Sequence, residues 1–241
     1  MKVNQMDIEL SYTERGMGEP LLLLHGNGES REYFAAQLSY FSGMYRTIAL
    51  DTRGHGASPR GTAPFTLEQF ALDLHGFMDS MGIARAHILG FSDGGNIALL
   101  FALRWPERVR SLVLNGANLY PSGMQPGVWL GVELSYLWAR VWAWRRARMA
   151  ARAELFGLMA RQPHIAPEQL SQLRVPALVI AGEHDMIRDR HTRLICASLP
   201  AAELAILPGD HFIAARQPEA FNARVERFLR AHSRESGDLA D

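Results

Sequence analysis

Residues 87–99 read His-Ile-Leu-Gly-Phe-Ser-Asp-Gly-Gly-Asn-Ile-Ala-Leu. A short apolar run, His87 to Leu89, passes through Gly90-Phe91-Ser92-Asp93-Gly94 into a helical stretch from Asn96. This is the pattern G-x-S-x-G between a strand and a helix, the setting of a nucleophilic serine on a sharp turn. Side chains two places from the apex would collide there, and Gly90 and Gly94 remove the collision. Gly95 lets the helix approach the strand closely. The Ser92 hydroxyl is then expected at the C-terminal end of a strand. A helix N-terminus beside it favours developing negative charge.

Working outward, bare apolar runs recur. Leu21 to Leu24 ends in His25-Gly26, Thr47 to Leu50 ends at Asp51, and Ser111 to Leu114 ends in Asn115-Gly116. Ala177 to Ala181 ends in Gly182, and Leu204 to Leu207 ends in Pro208-Gly209. Runs without alternation imply strands covered on both faces, as in a parallel sheet between helices. Asp7 to Thr13 alternates and predicts a half-exposed edge strand. Between the runs, Leu67, Phe70, Ala71, Leu74, Phe77, Met78 and Met81 form a helical stripe. Helices are also predicted over Asn96 to Arg104 and Pro218 to Ala231, the second opening on a proline. Alternating strands and helices give an α/β fold, doubly wound.

One segment breaks the rhythm. Residues 118–173 lack a strand-like run and carry Trp129, Trp138, Trp142 and Trp144, with Arg140, Arg145, Arg146, Arg148 and Arg152. This predicts a helical lid inserted after the sixth strand, between core segments 1–117 and 174–241. Trp129 and Trp138 either line a substrate pocket over the serine or pack the insertion onto the core. The arginines are expected on its outer side. The shortness of the insertion predicts an open pocket for small or medium acyl groups.

The 241 residues carry 25 basic and 25 acidic side chains, which disfavours a nucleic-acid binder. A single cysteine, Cys196, excludes a disulfide framework or a multi-cysteine zinc site. No residue cluster has metal-ligand spacing, and no cofactor loop is found, so neither metal nor cofactor is expected. The most apolar stretch, Val128 to Trp144, is interrupted by Glu133 and Arg140, so no stable membrane insertion is expected. The N-terminus has no secretory pattern, and elimination leaves the cytoplasm. The polar tail, His232 to Asp241, is expected to fray. The oligomeric state is not legible.

A serine nucleophile needs a base and an orienting acid. His211, in Leu207-Pro208-Gly209-Asp210-His211, follows the last strand and can reach back to the turn. Asp185, in Gly182-Glu183-His184-Asp185, can orient the imidazole and stabilise its cation. An oxyanion needs two aimed donors. The backbone N–H groups of Asp93 and Asn27 are the candidates, the latter in His25-Gly26-Asn27-Gly28. Gly26 is placed with the substrate contacts.

These motifs, in this order, resemble the α/β-hydrolase superfamily. LLLLHGNGES is similar to its oxyanion segment, ALDTRGHGAS to its Asp-x-Arg-Gly-x-Gly-x-Ser signature, and VPALVIAGEHDMI and LPGDHF to its acid strand and base loop. The resemblance implies a cofactor-free hydrolase with Ser92, Asp185 and His211 as triad and a small-molecule acyl substrate. Carboxylic esters are the expected class; lactones, C–C bonds, amides and perhydrolysis use the same triad, and some members of the fold only bind ligands. Relatives that dehalogenate or open epoxides use aspartate where this chain has Ser92. DTRGHGAS resembles the enol-lactonase branch, which usually has Met after the serine. Ser92-Asp93 instead resembles the biphenyl-hydrolase-like esterases of amino-acid esters. Asp93 is then either a contact for a cationic substrate group or a helix cap or partner of loop arginines.

Overall fold

A computed structural model describes residues 7–233. The first six residues and the tail beyond Ser233 lie outside them. In chain order the elements are β1 (Tyr12–Arg15), β2 (Pro20–Leu24), α1 (Ala35–Phe41), β3 (Arg46–Leu50), α2 (Leu67–Ser80), β4 (Ala86–Phe91), α3 (Asp93–Arg104) and β5 (Val109–Asn115). There follow α4 (Pro126–Ala143), α5 (Ala147–Arg161), α6 (Pro167–Leu170), β6 (Ala177–His184), α7 (Asp189–Ser198), β7 (Ala202–Asp210), α8 (Ile213–Arg216) and α9 (Pro218–His232).

The strands form one twisted sheet in the order β1-β3-β2-β4-β5-β6-β7, parallel except for β1, which runs antiparallel to β3. Each apolar run in the sequence is a parallel strand. Within β2, Leu21 and Leu23 enter the layer under α1 and α9, while Leu22 and Leu24 enter the layer under α2 and α3. That two-sided burial is why the run does not alternate. The winding direction reverses between β2 and β4, so a crevice opens beyond their C-terminal ends.

Three expectations are corrected. The edge strand is Tyr12–Arg15 and not Asp7 to Thr13. Asp7 is held by the fully buried Arg53 at 2.6 Å and by the N–H groups of Thr62 and Ala63, while Ile8 and Leu10 sink into the core. That anchoring takes the segment away from the sheet edge. The helical insertion follows the fifth strand of the described residues, because only β1 precedes the parallel set. The helix expected from Asn96 starts at Asp93, one residue after the serine.

The Asp-x-Arg-Gly-x-Gly-x-Ser segment is a buried polar knot. Asp51 accepts from Arg31 N–H and guanidinium and from Ala57 N–H, and a Cβ on Gly56 would lie 2.3 Å from its carboxyl. Arg53 pairs bidentately with Asp73 at 2.7 Å. A buried charge is tolerable only when paired and hydrogen-bonded in this way. His25, at the end of β2, donates through Nδ1 to Gly26 O and accepts from Thr52 N–H through Nε2, so it is neutral. It therefore holds the start of the Gly26-Asn27 loop rather than taking part in proton transfer.

Burial lowers His25, His87 and His191 to about 4 from the ordinary 6.5. The unfolded chain therefore binds more protons between those values, and stability present above pH 6.5 is lost as pH falls towards 4. The urea midpoint is expected to be lower at pH 5 than at pH 7, with a shallower dependence in His87→Gln. Equal midpoints at the two pH values would contradict the burial of these rings as neutral groups.

Candidate active site

Ser92 lies between β4 and α3 with φ 52° and ψ −118°, the one non-glycine residue at positive φ among the described residues. Such a conformation costs on the order of 1–3 kcal/mol and persists only where the surroundings over-determine it. Here they do. Ser92 N–H donates to Asn115 O of β5 at 2.8 Å, and Ser92 O accepts from Gly95 and Asn96 N–H. A Cβ on Gly90 would sit 2.3 Å from Gly94 O, and one on Gly94 would sit 2.0 Å from Leu24 O. A Cβ on Gly95 would meet the Ala117 methyl at 3.0 Å. The glycines flanking the serine thus permit contact with two different backbones. Serine at a helix start usually caps the first turn with its hydroxyl, but Ser92 makes no such bond. Its hydroxyl is left for other partners.

His211 and Asp185 are brought together as expected. His211 Nδ1 lies 2.7 Å from Asp185 Oδ1, both side chains being almost fully buried. Since an ionised carboxylate only accepts, Nδ1 carries the proton and Nε2 is the lone-pair nitrogen. Asp185 Oδ1 also accepts Ile187 N–H at 2.8 Å, which fixes the carboxylate. Gly116 packs flat on this pair: a Cβ there would lie 2.6 Å from His211 Cε1 and 3.3 Å from Asp185 Oδ2. Gly116 directly follows Asn115, the residue that takes the Ser92 N–H. The ring of Phe91, which directly precedes Ser92, lies 4.8 Å from that of His211. The His211 ring therefore sits beside the serine turn, although the Ser92 hydroxyl and the imidazole make no direct hydrogen bond. Such bonds are often long in a free enzyme and tighten with substrate.

Asn27 and Asp93 meet through their side chains. Asn27 Nδ2 donates to Asp93 Oδ2 at 2.9 Å and to Leu155 O of α5 at 2.8 Å. Asp93 Oδ1 accepts from Asn96 Nδ2, which also donates to Asn118. The carboxylate is buried, and burial raises its pKa. No arginine touches it among the described residues, so that expectation is corrected: amide donors, not guanidinium groups, satisfy it. Neither the Asn27 nor the Asp93 backbone N–H has a hydrogen-bond partner among the described residues. Gly26 lies on the Phe91 ring, where a Cβ would come within 2.9 Å.

Ser92 and Asp93 line a cavity of only about 10 Å³ with Asn118, Met124, Met159, Met186 and Ile187. That holds about one water. At Ser92 this cavity is narrower than the expected open pocket, because methionines from the insertion and the β6 loop line it. Met159 also lines a cavity of about 700 Å³ whose walls include Asn27, Gly28, Leu134, Trp138, Arg152, Leu155 and Phe156. Trp138 is thus a cavity residue. Trp129 and Trp142 are 39% exposed and Trp144 is 76% exposed. The core-facing side of α4 is made by Val132, Tyr136 and Ala139; Trp129 lies one turn before Val132 at the edge of that side, and Trp142 and Trp144 lie at the C-terminal end of the helix.

Two residues near Phe91 and His211 went unnoticed in the sequence. Tyr33 stacks on Phe91 at 4.3 Å, and its buried hydroxyl has no partner among the described residues. Glu29 Oε2 is likewise buried without a partner, and burial pushes the Glu29 carboxyl up to about 7. The available signal was position: both follow the His25-Gly26-Asn27-Gly28 loop.

Residues 19–157 match the family described as alpha/beta hydrolase fold. The chain is 30% identical to a Bacillus subtilis protein named uncharacterized carboxylesterase nap, over 89% of this chain and 80% of that one. It is 25% identical to 3-oxoadipate enol-lactonase 2 of Acinetobacter baylyi, over 93% and 94%. In structure it is similar to a thermophilic esterase from Thermogutta terrifontis, with a TM-score of 0.79 and 23% identity over 94% and 95% of the two chains.

The contact between Gly94 and the Leu24 carbonyl generates a test. Glycine to alanine inside a helix normally stabilises by up to about 1 kcal/mol. Gly94→Ala is expected to destabilise instead by about 3 kcal/mol, the upper end of the overpacking range, measured by urea unfolding. A neutral or stabilising result would contradict the close approach of α3 to β2.

Proposed function

The chain belongs to the α/β hydrolase fold family, and from that premise we propose that it is a serine hydrolase cleaving carboxylic esters through an acyl-enzyme on Ser92. The observation carrying this reading is the buried 2.7 Å His211–Asp185 hydrogen bond beside the strained serine turn. His211 Nε2 takes the Ser92 hydroxyl proton as Oγ attacks the acyl carbon. The tetrahedral oxyanion receives the Asn27 and Asp93 N–H groups, each such donor being worth roughly 2.7–4 kcal/mol. Collapse expels the alkoxide, which takes the proton from His211. Water, deprotonated by the same nitrogen, then attacks the acyl carbon, and the imidazolium returns that proton to Ser92 Oγ as the carboxylic acid leaves. Asp185 holds the ring in the right tautomer and offsets its transient charge.

Helices α4 and α5 act in this reading as the lid, the insertion spanning residues 118–173. Met159 separates the small cavity at Ser92 from the large one. Methionine is flexible enough to yield to an acyl chain without disturbing the backbone. A lactone is the second substrate class worth separating, because the enol-lactonase similarity extends over 93% of this chain.

Ser92→Ala is expected to lower turnover of p-nitrophenyl esters on the order of 10⁴–10⁶-fold with folding intact by circular dichroism. Near-normal turnover would refute the assignment. A matched panel of linear esters and lactones ranks the two substrate classes.

Asp93 is proposed as a positioning residue that fixes Asn27 and the oxyanion loop. Asparagine at 93 can accept through only one side-chain atom, so an amide of Asn27 or Asn96 is left facing another donor. Asp93→Asn is expected to lower kcat by about tenfold, roughly one lost charge-assisted bond, with equal effect on cationic and neutral esters. A loss confined to cationic aminoacyl esters, expressed in KM, would restore direct cation recognition.

A further inference from the structure

Helix α4 is apolar on two opposite sides. One side, with Val132, Tyr136 and Ala139, packs towards α5 and the sheet rim. The other carries Leu130, Leu134, Leu137, Trp138 and Val141, spaced 4, 3, 1 and 3 residues apart on one face, and these are 51 to 64% exposed. Trp142 and Trp144 flank that face at the C-terminal end of the helix and are also exposed. Helices apolar all round are normally buried. Patches of this kind on a soluble chain mark a surface that meets something else.

Charge says what that is. Residues 126–152 hold five arginines, Arg140, Arg145, Arg146, Arg148 and Arg152, against one acid, Glu133. Glu133 is committed to Arg161 at 2.8 Å. All five arginines are exposed, and none is in a salt bridge among the described residues. Arg140 reaches back over the Tyr136 ring at 5.6 Å, so the excess bordering the outward face is Arg145, Arg146, Arg148 and Arg152. Arg145 instead lies over the rings of Trp142 and Trp144, at 5.5 and 4.4 Å. The chain's overall balance of charge conceals this local excess. A second copy docked on the same face would bring a like-charged surface against it with no acid to match. Tryptophan and arginine around an apolar stripe instead suit an anionic lipid interface: rings at headgroup depth, guanidinium groups on phosphate, aliphatic side chains in the acyl region. No helix among the described residues is long and apolar enough to cross a membrane, so α4 would lie in the surface.

We propose that the outward face of α4 and the arginines that follow it dock the protein on an anionic lipid surface. Leu134 and Trp138 belong both to that face and to the wall of the 700 Å³ cavity, so the cavity opens towards the lipid. The consequence for substrate, which rests on the serine-hydrolase reading, is that esters dissolved in the bilayer reach Ser92 from this side. Docking itself does not depend on that reading.

The test is co-sedimentation with phosphatidylcholine vesicles made with and without phosphatidylglycerol, alongside the tryptophan emission maximum. Binding is expected only with phosphatidylglycerol, accompanied by a blue shift and weakened by salt. Each arginine at the surface is worth roughly fivefold in partitioning. Arg145→Glu/Arg146→Glu and Leu137→Asp/Val141→Asp are each expected to reduce vesicle binding more than about tenfold, given these contributions. Hydrolysis of a soluble short-chain ester is expected to stay within about twofold, since these four residues do not line the cavity. Absence of anionic-vesicle binding, binding unaffected by both double variants, or a solution dimer that Leu137→Asp/Val141→Asp converts to monomer would each overturn the proposal. Because sedimentation needs no turnover, an inactive but vesicle-binding protein would count against the hydrolase reading alone.

Discussion

The contact that the rest of the site depends on is the approach of the α3 first turn to the end of β2. Gly94 has no Cβ, and one there would fall 2.0 Å from the Leu24 carbonyl. With that approach allowed, the loop beginning at His25 and the turn bearing Ser92 become neighbours across the point where the sheet reverses its winding. Asn27 can then span from Asp93 to Leu155, joining the loop that begins at His25, the serine turn and the insertion through one amide group. The strain at Ser92 is sustained by the same packing. On the far side, Gly116 lets the His211–Asp185 pair close against the end of β5.

Much of this frame was legible because it rests on local rules. Strands buried on both faces show as bare apolar runs, and six such runs became the parallel strands. The glycines around Ser92 announced a turn that no Cβ-bearing residue could make. Asp185 and His211 were readable because each lies in a loop directly after a strand, so the parallel sheet delivers both to one edge. The edge strand was misplaced because alternation in Asp7 to Thr13 reports a half-buried extended chain. It does not report whether a neighbouring strand is there to pair with. Long-range ion pairing of Asp7 with Arg53 decided that, over a separation of 46 residues.

The insertion was legible only as helical. Its tryptophans suggested burial because large aromatic side chains usually are buried. Whether a helix side faces core or solvent depends on its docking angle, which composition does not encode. The spacing of Leu130, Leu134, Leu137 and Val141 did hold the signal of a second apolar side, distinct from that of Val132, Tyr136 and Ala139. The role of Asp93 was ambiguous for a related reason. A carboxylate after the serine can point into the pocket or back into the protein, and only the positions of Asn27 and Asn96 decide. Tyr33 owes its burial to stacking on Phe91 of β4, a contact between residues 58 positions apart that no local pattern announces.

The central claim is that the imidazole held by Asp185 activates the hydroxyl of Ser92. Its most direct measurement is active-site labelling by a fluorophosphonate, followed by intact mass and peptide mapping. The account predicts one adduct, on Ser92, formed readily by the native protein and at least about a hundredfold more slowly in His211→Ala, as loss of general-base assistance requires. Labelling elsewhere, or on Ser92 at a rate indifferent to His211, would contradict it.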